Sequence, residues 1–190
     1  YYAVLINRYG HANKPEGFYF PSILDFWRVL VGTVVTIACQ DACEYLLTPF
    51  YRTIANDTSS EKVRDKISRK AAVNTWKMIY YTGATLWGYT VLKDTNFLFW
   101  WMGGPADGSF ENCFKELPFG SYPPAVLDYM LYTAGFHFGN FVTHVMKNRG
   151  KDGFAEFMLH HIATVILYFG SALSNLVSCG CFIAFVFDIA

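Results

Sequence analysis

The chain has 190 residues, of which 53% are hydrophobic and 16% charged; soluble domains usually carry about 25% charged residues, so the balance agrees with a membrane class. Lys and Arg together number 15, as do Asp and Glu, and a net charge of zero gives no electrostatic case for nucleic acid. The five cysteines, Cys39, Cys43, Cys113, Cys179 and Cys181, include no CxxC pair and no zinc spacing, so they read as ordinary helix and loop residues.

Apolar stretches lie at 21–40, 72–92, 125–146 and 154–176, and a fifth begins near 177 and runs into Ala190. A spanning helix needs ~20 mostly apolar residues, so the expected fold is all-α: a multi-pass transmembrane helical bundle forming one membrane domain, without a second globular domain. The chain starts at Tyr1 and stops inside an apolar run, so it reads as a piece of a longer protein, truncated at its C-terminus. No signal peptide is assigned or excluded. In the first stretch Asp25 and Arg28 are one turn apart and can pair on one face. Segment 94–102, DTNFLFWWM, is too short to span, and its aromatics suit the interfacial belt of a membrane.

Charge in the connections orients the bundle. Arg52, Lys62, Arg64, Lys66, Arg69 and Lys70 lie between the first two stretches, and Lys147, Arg149 and Lys151 between the third and fourth. The 93–124 connection instead carries Asp94, Asp107, Glu111 and Glu116 against Lys93 and Lys115. By the positive-inside rule the first and third connections are cytosolic and the N-terminus is on the other side. The sequon Asn56-Asp57-Thr58 then lies in the cytosol, where it stays unmodified.

The fourth stretch, FAEFMLHHIATVILYFGSALSNL, is the most informative because two histidines, His160 and His161, lie inside it. Ionisable groups at such depth are costly unless they face a partner or a cavity. At helical spacing His161, Thr164, Tyr168, Ser171 and Asn175 form one polar stripe, which should face the bundle interior. The third stretch has a second stripe, Thr133, His137, Asn140 and His144. Two facing stripes imply a shared polar interior; alternatively they are interhelical hydrogen bonds that only join the helices. In the fifth stretch, at ~1.5 Å per residue in a ~30 Å core, Asp188 comes to a depth comparable with the histidines. A buried aspartate needs a partner and an imidazole is the natural one, giving a base with an orienting carboxylate. Adjacent histidines point ~100° apart on a helix, so with His161 in the stripe, His160 is turned away. No HxxxH or HxxHH spacing is present, so a metal site of the diiron lipid-oxidase kind is not expected.

The series Lys151-Asp152, then Phe157-Met158-Leu159-His160-His161-Ile162-Ala163-Thr164, then Phe187-Asp188 resembles the longevity-assurance motif of ceramide synthases, members of the TLC-domain family of multi-pass membrane proteins. Upstream, Arg69-Lys70 and Trp76-Lys77-Met78-Ile79-Tyr80-Tyr81 are similar to the start of that domain. The resemblance divides the chain into an N-terminal region, 1–68, with the first span and a cytosolic loop, and an incomplete TLC domain, 69–190. Phe187 stands where animal and plant members usually have His.

The resemblance implies transfer of a fatty acyl group from acyl-CoA to the amine of a sphingoid base in the endoplasmic reticulum membrane. It implies no metal and no cofactor, acyl-CoA being a substrate. Carried over, His160 and His161 are the catalytic pair and Asp188 is the first aspartate of the motif. His137, Asn140, His144, Thr164 and Tyr168 are expected to line the substrate site, and Lys151, with Lys147 and Arg149, to meet the CoA phosphates or simply to set topology. The partners are then acyl-CoA, a sphingoid base and membrane lipid. The alternative within the family is a non-catalytic lipid-sensing or translocon-associated protein.

Overall fold

The computed structural model describes residues 2–13, 21–55, 60–115, 122–150 and 153–189. All regular structure among them is helical: α1 (Tyr2–Asn13), α2 (Trp27–Ile54), α3 (Glu61–Leu92), α4 (Pro124–Asn148), α5 (Phe154–Leu173) and α6 (Val177–Ile189). The sequon and Lys151 fall outside the described residues.

Local chemistry marks the starts of α2 and α4. Ser22 and Asp25 form a capping box: Ser22 N–H donates to Asp25 Oδ2 at 2.7 Å and Leu24 N–H to Ser22 Oγ at 3.3 Å. A short 3-10 turn, Ile23–Phe26, leads from there into α2. Pro124 occupies the first turn of α4, where its missing N–H costs nothing. α2 runs well beyond the expected end at residue 40. Gln40, Asp41 and Glu44 lower the hydropathy without breaking the helix, and even Pro49 lies inside it. α3 likewise begins eleven residues before the apolar stretch, because its charged first turns (Glu61 to Lys70) are good helix formers.

α4 is the central helix, packed on α2, α3, α5 and α6. It meets α2 at a seam of small residues. A Cβ on Gly32 would lie 2.9 Å from the carbonyl oxygen of Tyr132, and one on Gly135 would lie 2.7 Å from that of Val29. Thr33 Oγ1 crosses the seam to Gly135 O at 3.2 Å while also donating to Val29 O at 2.7 Å. Small residues that let two backbones touch are the usual substitute for hydrophobic drive between helices in lipid.

The fully buried apolar core lies at one end of the bundle. Val126, Leu127, Tyr129 and Met130 of α4 pack there with Leu92, Val177 and Cys181. The 93–115 connection folds over this end. Ser109 N–H donates to Asn96 O at 3.1 Å, and Asn112 Nδ2 donates to Asp107 O at 3.1 Å. Phe97 and Leu98 are buried, whereas Trp100 and Trp101 project outward; only part of the expected aromatic belt is therefore on the surface. The expected Asp25–Arg28 pair forms at 2.6 Å, and Arg28 also reaches Asp128 of α4 at 2.6 Å.

At the opposite end α2, α3 and α4 are joined by charge. Lys147 binds Asp41 at 2.7 Å and Glu44 at 3.1 Å, and Arg69 binds Glu44 at 3.3 Å and Asp65 at 2.9 Å. The hydrogen bond to Asp41 raises the Lys147 ammonium pKa above its ordinary value, and Glu44 adds to this.

Among the described residues two helical stretches, Ile23–Ile54 and Phe154–Leu173, are long and apolar enough to cross a bilayer. Their outward faces are greasy: Leu30, Val34 and Val35 on α2 and Leu159, Ile162 and Ile166 on α5 are exposed. The 72–92 and 125–146 stretches are helical throughout, but their polar residues keep both helices out of that class.

The α5–α6 boundary corrects the sequence reading. α5 stops at Leu173, and Asn175 adopts a left-handed φ of 54° in the turn. Asn is one of the few side chains that tolerate this conformation. Asn175 is thus outside the helical stripe. Its Oδ1 accepts from Tyr122 Oη at 3.0 Å, which ties the turn to the start of α4.

Candidate functional site

Two adjoining cavities lie beside the core, which the first touches at Tyr168 and Ala184, and His160 lines both. The first, about 370 Å³, lies between α4, α5 and α6. Leu167, Ile183, Ala184 and Phe187 make it largely apolar, with His137, Thr164 and Tyr168 supplying its polar groups. The second, about 430 Å³, is walled by α2 to α5: Gln40, Lys77, Asn140, Thr143, His144 and His161 make it the more polar of the two. Tyr81 is the other residue shared by both. The sequence stripes therefore do face a common interior, which is divided into a greasy and a polar chamber.

The two histidines have different surroundings. His161 is half-buried and faces only the polar chamber, whereas His160 is exposed, as expected of the residue turned away, yet it also borders both cavities. The ~100° between adjacent side chains is what spreads them over two chambers. Their rings are 5.5 Å apart, and His144 is 5.9 Å from His161. His161 Nδ1 is buried with no hydrogen-bond partner among the described residues. His144 stacks on Phe154 at 5.2 Å and His137 on Tyr168 at 5.4 Å. The Thr164 hydroxyl donates to the His160 carbonyl at 2.9 Å, closing a local helix bond.

Asp188 is buried, as expected, but the anticipated imidazole partner is not there. Its Oδ2 accepts from Tyr129 Oη at 2.8 Å, and Oδ1 has no partner among the described residues. Helix α6 turns Asp188 toward α3 and α4: its backbone carbonyl also accepts from Thr85 at 3.2 Å. Tyr80, Tyr81 and Tyr168 lie within electrostatic reach of the carboxylate. Depth arithmetic placed Asp188 and the histidines at similar heights, but it contained no rotation about the helix axis. A phenol, which keeps its proton and donates it, meets the need of a buried carboxylate without a second charge.

As site residues, Tyr129, Gln40, Lys77 and Tyr81 escaped the sequence reading, which named Lys77 and Tyr81 only for their likeness to the start of the domain. A lysine in the apolar 72–92 stretch was a readable signal, since such a charge faces a cavity or partner by default. Nothing in the sequence marks Tyr129 among so many aromatics. Among the described residues no group of three or more His, Cys, Asp or Glu is arranged to hold a metal ion.

Comparison with known proteins follows this geometry. Residues 70–190 match the TLC domain. Over 115 residues the chain is 27% identical to ceramide synthase hyl-1 of Caenorhabditis elegans, covering 60% of this chain and 28% of that protein. No solved structure matches. With the family match extending over more than half of its residues, and with the paired histidines and the buried aspartate inside the matched region, the chain belongs to the TLC-domain family.

Proposed function

We propose that the chain carries the acyl-transfer site of a ceramide synthase: a multi-pass endoplasmic reticulum membrane enzyme that joins a fatty acyl group from acyl-CoA to the amine of a sphingoid base. The observation that carries this reading is His160 at the junction of an apolar and a polar chamber. A reaction between a long apolar chain and a polar amine needs its base at such a boundary. The greasy outward faces of α2 and α5 support a bundle embedded in lipid, and the likeness to hyl-1 supports the chemistry.

The amine must be unprotonated to attack, and an imidazole near neutral pKa is the suitable base. As nitrogen attacks the thioester carbonyl carbon, the C–N bond forms and His160 or His161 takes the amine proton. The C–S bond then breaks, and the departing CoA thiolate takes a proton from the imidazolium. An imidazole that attacks first, forming an acyl-imidazole, gives the same balance in two steps. His137, Thr164 and Tyr168 line the apolar side, Asn140 and His144 the polar side. Arg149 and Lys151 are assigned to the CoA phosphates, because Lys147 is engaged by Asp41 and Glu44. Asp188 holds Tyr129 and thereby the α4–α6 contact behind the chambers. Acyl-CoA is a substrate, and no bound metal or cofactor takes part.

The test is a microsomal assay of the full-length protein with labelled sphingoid base and acyl-CoA. The N-acyl product should form and should vanish in His160→Ala. A His160/His161 double variant that is expressed normally and still makes product at the wild-type rate would show the site to be wrong. A wild-type protein that binds the base but never acylates it would place the chain with the non-catalytic TLC-domain proteins.

A further inference from the structure

Gln40 is the polar side chain that neither the family match nor the proposed chemistry accounts for. It lies in α2, outside the matched residues 70–190, at the end of the face formed by Val29, Gly32, Thr33 and Thr36 that packs on α4. Only 5% of it is exposed, it lines the polar chamber, and its Oε1 has no hydrogen-bond partner among the described residues. Buried amides are almost always bonded, and an orphan calls for an explanation, of which a partner held in the adjoining cavity is one. Thr33, about two turns back on the same face, has two acceptors for its hydroxyl, so the packing of this face does satisfy polar groups where no cavity intervenes.

The partner must donate a hydrogen bond and lie within the reach of His160 and His161. In the reading above, the amine to be acylated sits between those histidines. A sphingoid base carries hydroxyls on the carbons adjacent to that amine. A plain long-chain amine has none. The chamber is stocked for such a group, since Asn140, Thr143 and Gln40 offer neutral hydrogen-bonding atoms beside the histidines.

We propose that Gln40 is a specificity-determining residue that accepts a hydrogen bond from a hydroxyl next to the acceptor amine, so that α2 selects amino alcohols over simple amines. This rests on the acyl-transfer reading. A site built to bond a hydroxyl disfavours an analogue that lacks it, because its own polar group is then left unpaired. The energy of one neutral hydrogen bond corresponds to a change of about five- to tenfold in KM.

The experiment uses the full-length protein in microsomes and three amines: the natural base, the base lacking the 1-hydroxyl, and the base lacking the 3-hydroxyl. Wild type is compared with Gln40→Met, an apolar side chain of similar shape, and with Gln40→Glu, which keeps an acceptor at the same reach. Ratios of kcat/KM between amines in one preparation do not depend on how much enzyme has folded. The expected result is that wild type prefers the natural base over one of the two analogues about five- to tenfold. Gln40→Met should abolish that preference through KM for the amine, leaving KM for acyl-CoA unchanged, and Gln40→Glu should retain it. Unchanged preference in Gln40→Met overturns the inference, as does a change in KM for acyl-CoA alone, which would mean that the bond goes to an amide of the pantetheine arm. If wild type acylates none of the amines, it is the acyl-transfer reading that fails.

Discussion

At the scale of single residues, the two histidines have separate positions and so separate expected effects. His160 borders both chambers and His161 only one. In the full-length protein His160→Ala should therefore remove acyl transfer, and His161→Ala should leave a residual rate that the same assay can measure. The polar stripe alone would put the larger effect on His161, which is the more buried of the two. The aspartate gives a second prediction. Tyr129→Phe deletes the hydrogen bond to Asp188 Oδ2 and leaves a buried carboxylate whose other oxygen is also without a bond. The cost of an unsatisfied buried group is about 1–3 kcal/mol. It should appear as a lower midpoint in a thermal unfolding series in detergent, and Asp188→Asn combined with Tyr129→Phe should cost less than the sum. The presence of buried His and Asp residues was legible because polar atoms inside greasy runs are expensive. Their partners were not, since a hydrogen bond depends on the rotation of each helix about its axis, and apolar periodicity constrains that only coarsely.

At the scale of elements, the α2–α4 seam determines how the chambers are walled. The methyl of Gly135→Ala would fall 2.7 Å from a carbonyl oxygen of the facing helix, whereas a Cβ at Gly83 would meet nothing within 4 Å. Overpacking of this sort costs about 1–3 kcal/mol. Gly135→Ala should shift fluorescence-detected gel filtration toward aggregate and lower the unfolding midpoint, while Gly83→Ala should be neutral or slightly stabilising through helix propensity. The helices themselves were largely readable from the apolar stretches. The ends of α2 and α3 were not, since both continue past the apolar stretches into charged sequence that is helical for its own reasons. Asn175 was misassigned because its polarity fits a stripe equally well whether it continues a helix or ends one. Only the left-handed backbone, with its bond to Tyr122, decides between them.

For the whole molecule, the proposed orientation places Ser60 in the cytosol and the acidic 93–115 connection on the far side. With the other native cysteines replaced, Ser60→Cys in sealed microsomes should react with an impermeant maleimide, and Asp107→Cys only after the membrane is opened. Cys113 can remain, because burial pushes its thiol up to about 12, so it stays protonated and unreactive at neutral pH. Labelling of Asp107→Cys in intact vesicles would invert the topology. The family and the helical class were legible from the motif around His160, His161 and Asp188. The division of the interior into two chambers was not, since it depends on Gln40 and Lys77, which are brought in by helices distant in sequence.

Glu44 serves two cations on two different helices, Arg69 and Lys147, and this makes the bundle mechanically uneven. At one end the structure is closed by touching backbones and a dry core. At the other, beside a cavity of about 470 Å³ lined by Asp41, Glu44, Arg69 and Lys147, it is latched by half-exposed charges. With its pKa raised, Lys147 contributes fully below the ordinary lysine value and loses that contribution only as pH rises through the higher one. Neutral pH thus leaves the latch fastened, whereas added salt weakens it, its range being about 10 Å at 0.1 M. Amide exchange should accordingly run as a gradient along α2, slow around Gly32 and fast past Asp41, and it should steepen with ionic strength. The histidines lie toward the compliant end, so the part through which the proposed reaction would exchange its substrates is also the part expected to open most readily.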